Sequence, residues 1–149
     1  FEAGADVVKI FDSWGGELAP FDYEVLALPY VYSLIERLHE AGCSVIYYVN
    51  GVAGIARQVA SSGADVLGVD WRVSLSELRA MLGDGIVLQG NLDPTLLYAP
   101  RENIVARVHA MLDESGGRGY IVNLGKGITP DAPLSGVEAL LEAVKTWRR

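Results

Sequence analysis

The chain alternates between short, nearly unbroken apolar runs and longer stretches in which apolar residues recur every three or four positions. Five runs read as strands, at residues 7–11, 45–49, 66–69, 86–89 and 120–124. Their continuous apolar character is that of strands buried on both faces, not of half-exposed ones. Between them lie helical patterns. Ile104, Val105, Val108, Met111 and Leu112 share one stripe, and Val137, Leu140, Leu141, Val144 and Trp147 share another; both are expected to face a core. Ser74-Leu75-Ser76-Glu77 and Ser135-Gly136-Val137-Glu138 fit capping boxes, in which the serine hydroxyl accepts from the backbone three residues on and the glutamate reaches back. Pro100 suits a first helical position, where its missing N–H would be unpaired anyway. Pro29 should kink or split the long helical segment 23–39.

A short repeat sharpens this reading. Gly4-Ala5-Asp6-Val7 leads to Asp12 and Trp14, and Gly63-Ala64-Asp65-Val66 leads to Asp70 and Trp71. In each, a glycine ends a helix, a turn follows, and a strand finishes at an aspartate. Strand–helix alternation of this kind requires parallel strands joined by right-handed crossovers. The pattern supplies five β/α units, whereas a closed (β/α)8 barrel uses eight in roughly 250 residues. An open, doubly wound α/β sheet, which needs only about five or six strands, is the alternative architecture. No G-x-G-x-x-G follows the first strand and no G-x-x-x-x-G-K-[ST] occurs, which argues against a dinucleotide or P-loop site.

Composition narrows the classes further. The 149 residues are 50% hydrophobic with 17 glycines, suiting one globular domain or part of a larger one. No run approaches the ~18 apolar residues of a membrane span, so no membrane partner is expected. No cationic start with an apolar stretch and cleavage site is visible either. The chain begins at Phe1 with residues that look like a helix end, and a fragment lacking its front half is expected. Nineteen acidic against 12 basic residues give a net charge of −7, which argues against a nucleic-acid partner. The same charge is awkward for a polyanionic substrate unless cations come from elsewhere. The single cysteine, Cys43, excludes an internal disulfide, fits a reducing compartment and reads as a small buried hydrophobe.

Chemistry in α/β proteins concentrates beyond the carboxyl ends of the strands. Four polar strand ends fall there: Phe11-Asp12-Ser13-Trp14, Val69-Asp70-Trp71, Gln89-Gly90-Asn91-Leu92-Asp93-Pro94 and Asn123-Leu124-Gly125-Lys126-Gly127-Ile128. Ser13 as a nucleophile would need a histidine base, but His39 and His109 both lie in helix patterns, so a hydrogen-bonding role toward a substrate carboxylate suits it better; a local turn or cap is the plain alternative. Asp12 and Asp70 could act as acid or base, or could cap and hold loops, the reading favoured here. Trp14 and Trp71 could wall a pocket for a flat ligand or pack beneath the loops. Asn91 and Asp93-Pro94 form a turn that fixes a loop and could line the site. Lys126, between two glycines, could pair with a carboxylate or phosphate, act as a Schiff-base amine if desolvated, or simply be a solvated loop lysine. No His-x-Cys, Cys-x-x-Cys or His-x₃-His pattern supports a metal site.

Five segments, in this order and spacing, resemble uroporphyrinogen decarboxylase: Phe11-Asp12-Ser13-Trp14-Gly15-Gly16, Ala27-Leu28-Pro29-Tyr30, Gly68-Val69-Asp70-Trp71, Leu88-Gln89-Gly90-Asn91-Leu92-Asp93-Pro94 and Asn123-Leu124-Gly125-Lys126-Gly127-Ile128. The resemblance covers essentially the whole chain and corresponds to the C-terminal part of that enzyme. It implies an α/β fold of the (β/α)8 TIM-barrel type, represented by its last five β/α units, in one barrel domain spanning residues 1–149. It also implies a cytoplasmic homodimer that decarboxylates the four acetate side chains of uroporphyrinogen III to give coproporphyrinogen III, with no metal and no organic cofactor. Ser13 falls on the family's substrate-binding serine. Lys126 falls where the family has a histidine, in Asn-Leu-Gly-His-Gly; lysine can still bind a carboxylate, but it does not titrate near neutrality. Phe11, Asp70, Trp71 and Asn91 are candidates to line the same pocket. The family's arginine-rich segment, catalytic aspartate and substrate tyrosine are expected outside this chain, so its catalytic residues are unknown.

Two other classes compete. A superfamily relative, a zinc-dependent methyltransferase acting on corrinoid or thiol substrates, would carry His-x-Cys at the end of the second strand, where this chain has Tyr48-Val49-Asn50-Gly51. A diverged, non-catalytic tetrapyrrole-binding protein is the other, and Lys126 is its main support.

Overall fold

The computed structural model describes residues 4–148; the helix end expected at the very start of the chain lies outside them. Five strands alternate with helices: β1 (Val7–Asp12), β2 (Ser44–Val49), β3 (Val66–Gly68), β4 (Val87–Leu92) and β5 (Tyr120–Leu124). All pair in parallel and lie in the order β1-β2-β3-β4-β5. Each strand is therefore laid beside its predecessor, always in the same direction. A doubly wound sheet reverses direction at a switch point, so this order excludes it and gives a TIM-barrel-like wall of five β/α units.

Right-handed crossovers with unreversed order place every helix on one face of the sheet. The helices are α1 (Pro20–Leu26), α2 (Leu28–Glu40), α3 (Ala56–Ala60), α4 (Leu75–Leu82), α5 (Arg101–Ser115) and α6 (Leu134–Thr146). Pro29 splits the first long helical segment as expected, sitting in the first turn of α2. Val45, Tyr47 and Val49 of β2, Leu67 of β3 and Leu88 of β4 point to this side and are buried with Ile35, Leu78 and Val108 from the helices. Each such side chain contributes about 1.5–3 kcal/mol when removed from water, so this layer carries most of the stability. The stripe expected on α5 is buried here through Ile104, Val108, Met111 and Leu112.

Local signals mostly hold. Ser74 forms the expected capping box: its Oγ accepts from Glu77 N (3.1 Å), and Ser74 N donates to the Glu77 carboxylate (3.0 Å). The repeat also holds, because Gly4 and Gly63 adopt nearly the same positive φ, 89° and 86°. Helix α6 differs. It starts at Leu134 with Pro133 at the cap, and the amides of Gly136 and Val137 already bond to the Pro133 carbonyl, so Ser135 caps nothing. Its buried line is Gly136, Ala139 and Ala143, whereas Leu141 is 51% exposed and Leu140, Val144 and Trp147 flank the contact. Small residues let the helix axis approach the 3₁₀ turn Pro94–Tyr98, and that close approach, not the bulk of the leucines, sets the rotation of α6.

Candidate functional site

Side chains alternate along a strand, so the face of the sheet opposite the helices is made by Lys9 and Phe11, Ile46 and Tyr48, Val66 and Gly68, Val87 and Gln89, and Ile121 and Asn123. The register aligns Phe11, Tyr48, Gly68, Gln89 and Ile121 across all five strands in one layer close to the carboxyl ends. This layer is not a plain hydrophobic surface. Lys9, one step below on β1, reaches up into it: its Nζ donates to Gln89 Oε1 at 2.6 Å and lies 4.9 Å and 5.4 Å from the ring centroids of Phe11 and Tyr48. Burial lowers the pKa of the Lys9 ammonium. Phe11 is 66% exposed on this face and packs its ring against Tyr48 at 5.7 Å.

Above this layer the loops after the strands rest on one another. The first rests on the second: Gly16 lies so close to the Asn50 and Gly51 carbonyls that a Cβ there would meet oxygen at 2.2 and 2.5 Å. Asp12 shapes the first loop by accepting from the amides of Trp14 (3.0 Å) and Gly15 (2.6 Å) and from the Tyr47 hydroxyl (3.0 Å). The second is clamped to the third by Asp70, which is fully buried. Its Oδ2 accepts from the amides of Gly51 and of Val52 (3.1 Å), and its Oδ1 accepts from the amide of Arg72 (2.8 Å) and forms an ion pair with the Arg72 guanidinium (3.3 Å), which itself donates to Asn50 Oδ1 (3.2 Å). The third meets the fifth at Gly125, where a Cβ would lie 2.7 Å from Trp71 N. The Tyr48 hydroxyl donates to the Gly125 carbonyl at 2.7 Å. Burial, then the charge of Asp70, raises the pKa of that phenol and keeps it a donor.

The sequence candidates therefore separate. Ser13 is exposed on the loop after β1, and Lys126 is exposed on the loop after β5, one residue beyond the carbonyl that Tyr48 holds. Phe11 lies on the inner face below that rim. Among the described residues, Lys126 joins none of the ion pairs. Asp70 is committed to backbone amides beneath the rim, the loop-holding role favoured from sequence, and Asp12 has the same role. Trp71 and Asn91 turn away from the inner face. They line a cleft of about 350 Å³ on the helix side, with Arg72, Asp93, Arg107 and Glu114. The Arg72 guanidinium stacks on Trp71 at 4.4 Å, and the Asn91 amide donates to Val73 O at 2.6 Å.

Lys9, Tyr48 and Gln89 were not singled out by sequence reasoning as inner-face residues. A signal was present: a lone lysine in Val-Val-Lys-Ile-Phe is a charge inside an apolar strand, and a half-buried charge is more informative than another buried apolar residue. Among the described residues no three His, Cys, Asp or Glu side chains group closely enough to hold a metal ion. No described helix is long and apolar enough to cross a membrane. Chemically, the arrangement is an aromatic and cationic face beneath a rim carrying a hydroxyl and a second amine, which suits a flat, anionic organic ligand.

Comparison with known proteins agrees with this geometry. The family model described as uroporphyrinogen decarboxylase (URO-D) matches residues 1–147. The chain is 46% identical over 144 residues to a uroporphyrinogen decarboxylase of Geobacter sulfurreducens, covering 96% of this chain and 42% of the relative. It is 43% identical over 143 residues to that of Myxococcus xanthus, covering 96% and 41%. A solved methyltransferase from Methanosarcina mazei superposes with a TM-score of 0.84 at 26% identity, covering 97% of this chain and 43% of that one. The chain thus spans about two fifths of the length of the curated relatives it matches. Matched from end to end by one family model and folded as five consecutive units of a parallel barrel wall, the chain belongs to the uroporphyrinogen decarboxylase family.

Proposed function

We propose that this chain is the C-terminal portion of a single uroporphyrinogen decarboxylase barrel and supplies one wall of its substrate pocket. The protein containing it would convert uroporphyrinogen III to coproporphyrinogen III in tetrapyrrole biosynthesis, without a metal or organic cofactor. The family match along residues 1–147 carries this reading. The inner face adds chemical support, because a tetrapyrrole bearing carboxylates needs aromatic surface beside cations.

The reaction has a simple balance. Protonation of a pyrrole α-carbon makes the ring an electron sink. The bond between the acetate methylene and its carboxylate breaks, carbon dioxide leaves, and the electron pair enters the ring. Protonation of the exocyclic carbon and loss of the α-carbon proton restore the aromatic pyrrole and leave a methyl group, with one proton consumed net for each carboxylate lost. In this reading Ser13 and Lys126 at the rim hold carboxylates that are not reacting, and Phe11 lies against the ring system. Fixing the substrate in this way contributes by orientation. The acid and base come from the part of the protein outside this chain, so the chain alone is inactive. Exposed Phe21, Leu26 and Tyr30 on α1 and α2 fit a surface covered in a homodimer, and the setting would be the cytoplasm.

The test is direct. The full-length protein is incubated anaerobically with uroporphyrinogen III, and the oxidised products are separated by carboxyl number. Stepwise appearance of seven-, six-, five- and four-carboxyl porphyrins is expected; unchanged substrate refutes decarboxylation. Lys126, in place of the histidine of the resembling motif, specifically favours a second reading. That reading is a tetrapyrrole-binding relative without turnover, which would bind porphyrin tightly and release no carbon dioxide. The likeness to a methyltransferase supports a shared fold. Among the described residues no three His, Cys, Asp or Glu side chains are grouped as donors of a zinc site, so the methyltransferase reading has no such support from this chain.

A further inference from the structure

We infer that Lys9 is a carboxylate-binding residue at the centre of the inner face, held by Gln89 and flanked by the Phe11 and Tyr48 rings so that an aromatic carboxylate can lie on the rings and pair with the ammonium. This deepens the proposed function and rests on it for the identity of the ligand as a tetrapyrrole.

Three observations carry it. The first is unmet bonding capacity. An ammonium has three N–H donors. One goes to Gln89 Oε1 at 2.6 Å, and among the described residues Lys9 Nζ has no other hydrogen-bond partner and no ion pair. The second is the absence of a counter-charge. The inner-face positions of the five strands include no aspartate or glutamate, although the chain as a whole is acidic with a net charge of −7. The acidic residues nearest the strand ends, Asp12 and Asp70, are spent on backbone amides and, in the case of Asp70, on Arg72.

The third is preorganisation. Tyr48 is anchored at its far end to the Gly125 carbonyl, and its ring packs over Gly68, where an added Cβ would meet Tyr48 Cβ at 2.8 Å. Gln89 lies in register with Gly68, so nothing on β3 stands between the glutamine and the tyrosine. Phe11 leaves a ring face open to the ligand. The ammonium is thus fixed in place before a ligand arrives, and burial already disfavours its charge when unpaired. A docking carboxylate relieves that penalty. Lys9 then stands below the rim that carries Ser13 and Lys126, so one ligand could be gripped at two depths.

The experiment uses the full-length protein and two probes: uroporphyrin III, a stable octacarboxylate, and phthalate, a small aromatic dicarboxylate. Affinities are measured for wild type, Lys9→Met and Lys9→Arg, each checked for folding by circular dichroism and thermal melting. Lys9→Met should weaken both probes about tenfold, the loss expected for one charge-assisted hydrogen bond, while Lys9→Arg stays within about threefold of wild type. The salt dependence of binding should fall in the methionine variant. If that variant does not fold, Lys9→Gln makes the same comparison. Uroporphyrin binding that is tight but unchanged in Lys9→Met overturns the Lys9 assignment and leaves the tetrapyrrole reading standing. Lys9-dependent phthalate binding with no uroporphyrin binding does the reverse. No binding of either probe to the wild type overturns both. If Lys9 instead pairs with an acidic side chain outside this chain, Lys9→Met lowers stability and leaves both affinities unchanged, which also refutes the assignment.

Discussion

Asp70→Asn separates a rim-building carboxylate from a reacting one. The side chain is fully buried, accepts from three backbone amides, those of Gly51, Val52 and Arg72, and is ion-paired with the Arg72 guanidinium. Asparagine has the same shape but only one acceptor oxygen. Turned the better way, its oxygen keeps the amides of Gly51 and Val52 and its NH₂ group faces the Arg72 amide, so one charge-assisted bond and the ion pair are lost and a buried N–H is left facing another donor. At roughly 1.5–3 kcal/mol for the lost bond and about 1–3 kcal/mol for the donor left unsatisfied, in line with the range for breaking a buried charged pair, the loss is about 3–5 kcal/mol. That is a large share of the roughly 5–15 kcal/mol that holds a domain folded. Urea denaturation of the full-length protein should show it as a lowered midpoint with an unchanged slope. Arg72→Met is the control. The guanidinium end of this pair is about half exposed, so its removal should cost less than about 1 kcal/mol. A loss below about 1 kcal/mol for Asp70→Asn would refute the clamp. Equal losses for the two variants would show that the ion pair, not the amides, dominates.

Other outcomes follow from the same contacts. Tyr48→Phe removes the bond to the Gly125 carbonyl and should weaken porphyrin binding severalfold through the Lys126 loop, at a stability cost of about 1–2 kcal/mol, read by titration and denaturation together. Gly136→Ala adds a Cβ 2.1 Å from the Leu97 carbonyl oxygen, so despite a helix-propensity gain of about 1 kcal/mol it should destabilise by about 1–3 kcal/mol; a stabilised variant would disprove the tight α6 contact. Ser74→Ala should cost about 1 kcal/mol by opening the capping box, measurable by thermal melting. Asp65 accepts from Val45 N at 2.7 Å and from His39, and these bonds, the backbone one first, hold its carboxyl below the usual range. A depressed folded-state value means the contribution is complete above the unfolded value of about 3.9 and is lost as pH falls through the folded one. Asp65→Asn should therefore flatten the acid limb of a stability–pH curve below about pH 4 and leave the neutral region nearly parallel to wild type.

Which parts of this molecule were legible in its sequence follows from how each residue type acts. The strands were readable because both faces of a barrel wall are largely apolar, and four of the five run within a residue or two of the periodicity; β4 runs three residues further. There Gly90 and Asn91 look like turn residues, yet they continue the ladder with Val122 and Asn123 of β5. On helix α6 bulk marks only the flanks of the buried face: Leu140, Val144 and Trp147 pack against the core and Leu141 is exposed, while the fully buried line is made by residues with little side chain, Gly136, Ala139 and Ala143. The strand-end motifs were legible as a signature, and the structure gives them a physical role. Gly16, Asp70 and Gly125 are the points where one loop rests on the next, and Asp12 holds the shape of the first loop, so a Cβ or a lost carboxylate at these positions would disturb the rim. Such residues identify a family because their steric and bonding demands admit few substitutes, but they need not touch a ligand. The residues facing the open side are of another kind. Lys9, Tyr48 and Gln89 sit inside strands, where an apolar run conceals which positions face inward, and their grouping depends on a register that spans 80 residues from Lys9 to Gln89. Lys126 joins the two kinds. Its position is set by a rim contact, the Tyr48 bond to Gly125, while its own side chain is exposed at the mouth. Replacing the rim residue Tyr48 should therefore move Lys126 without altering its charge, whereas replacing Lys9 should remove a charge without moving the rim.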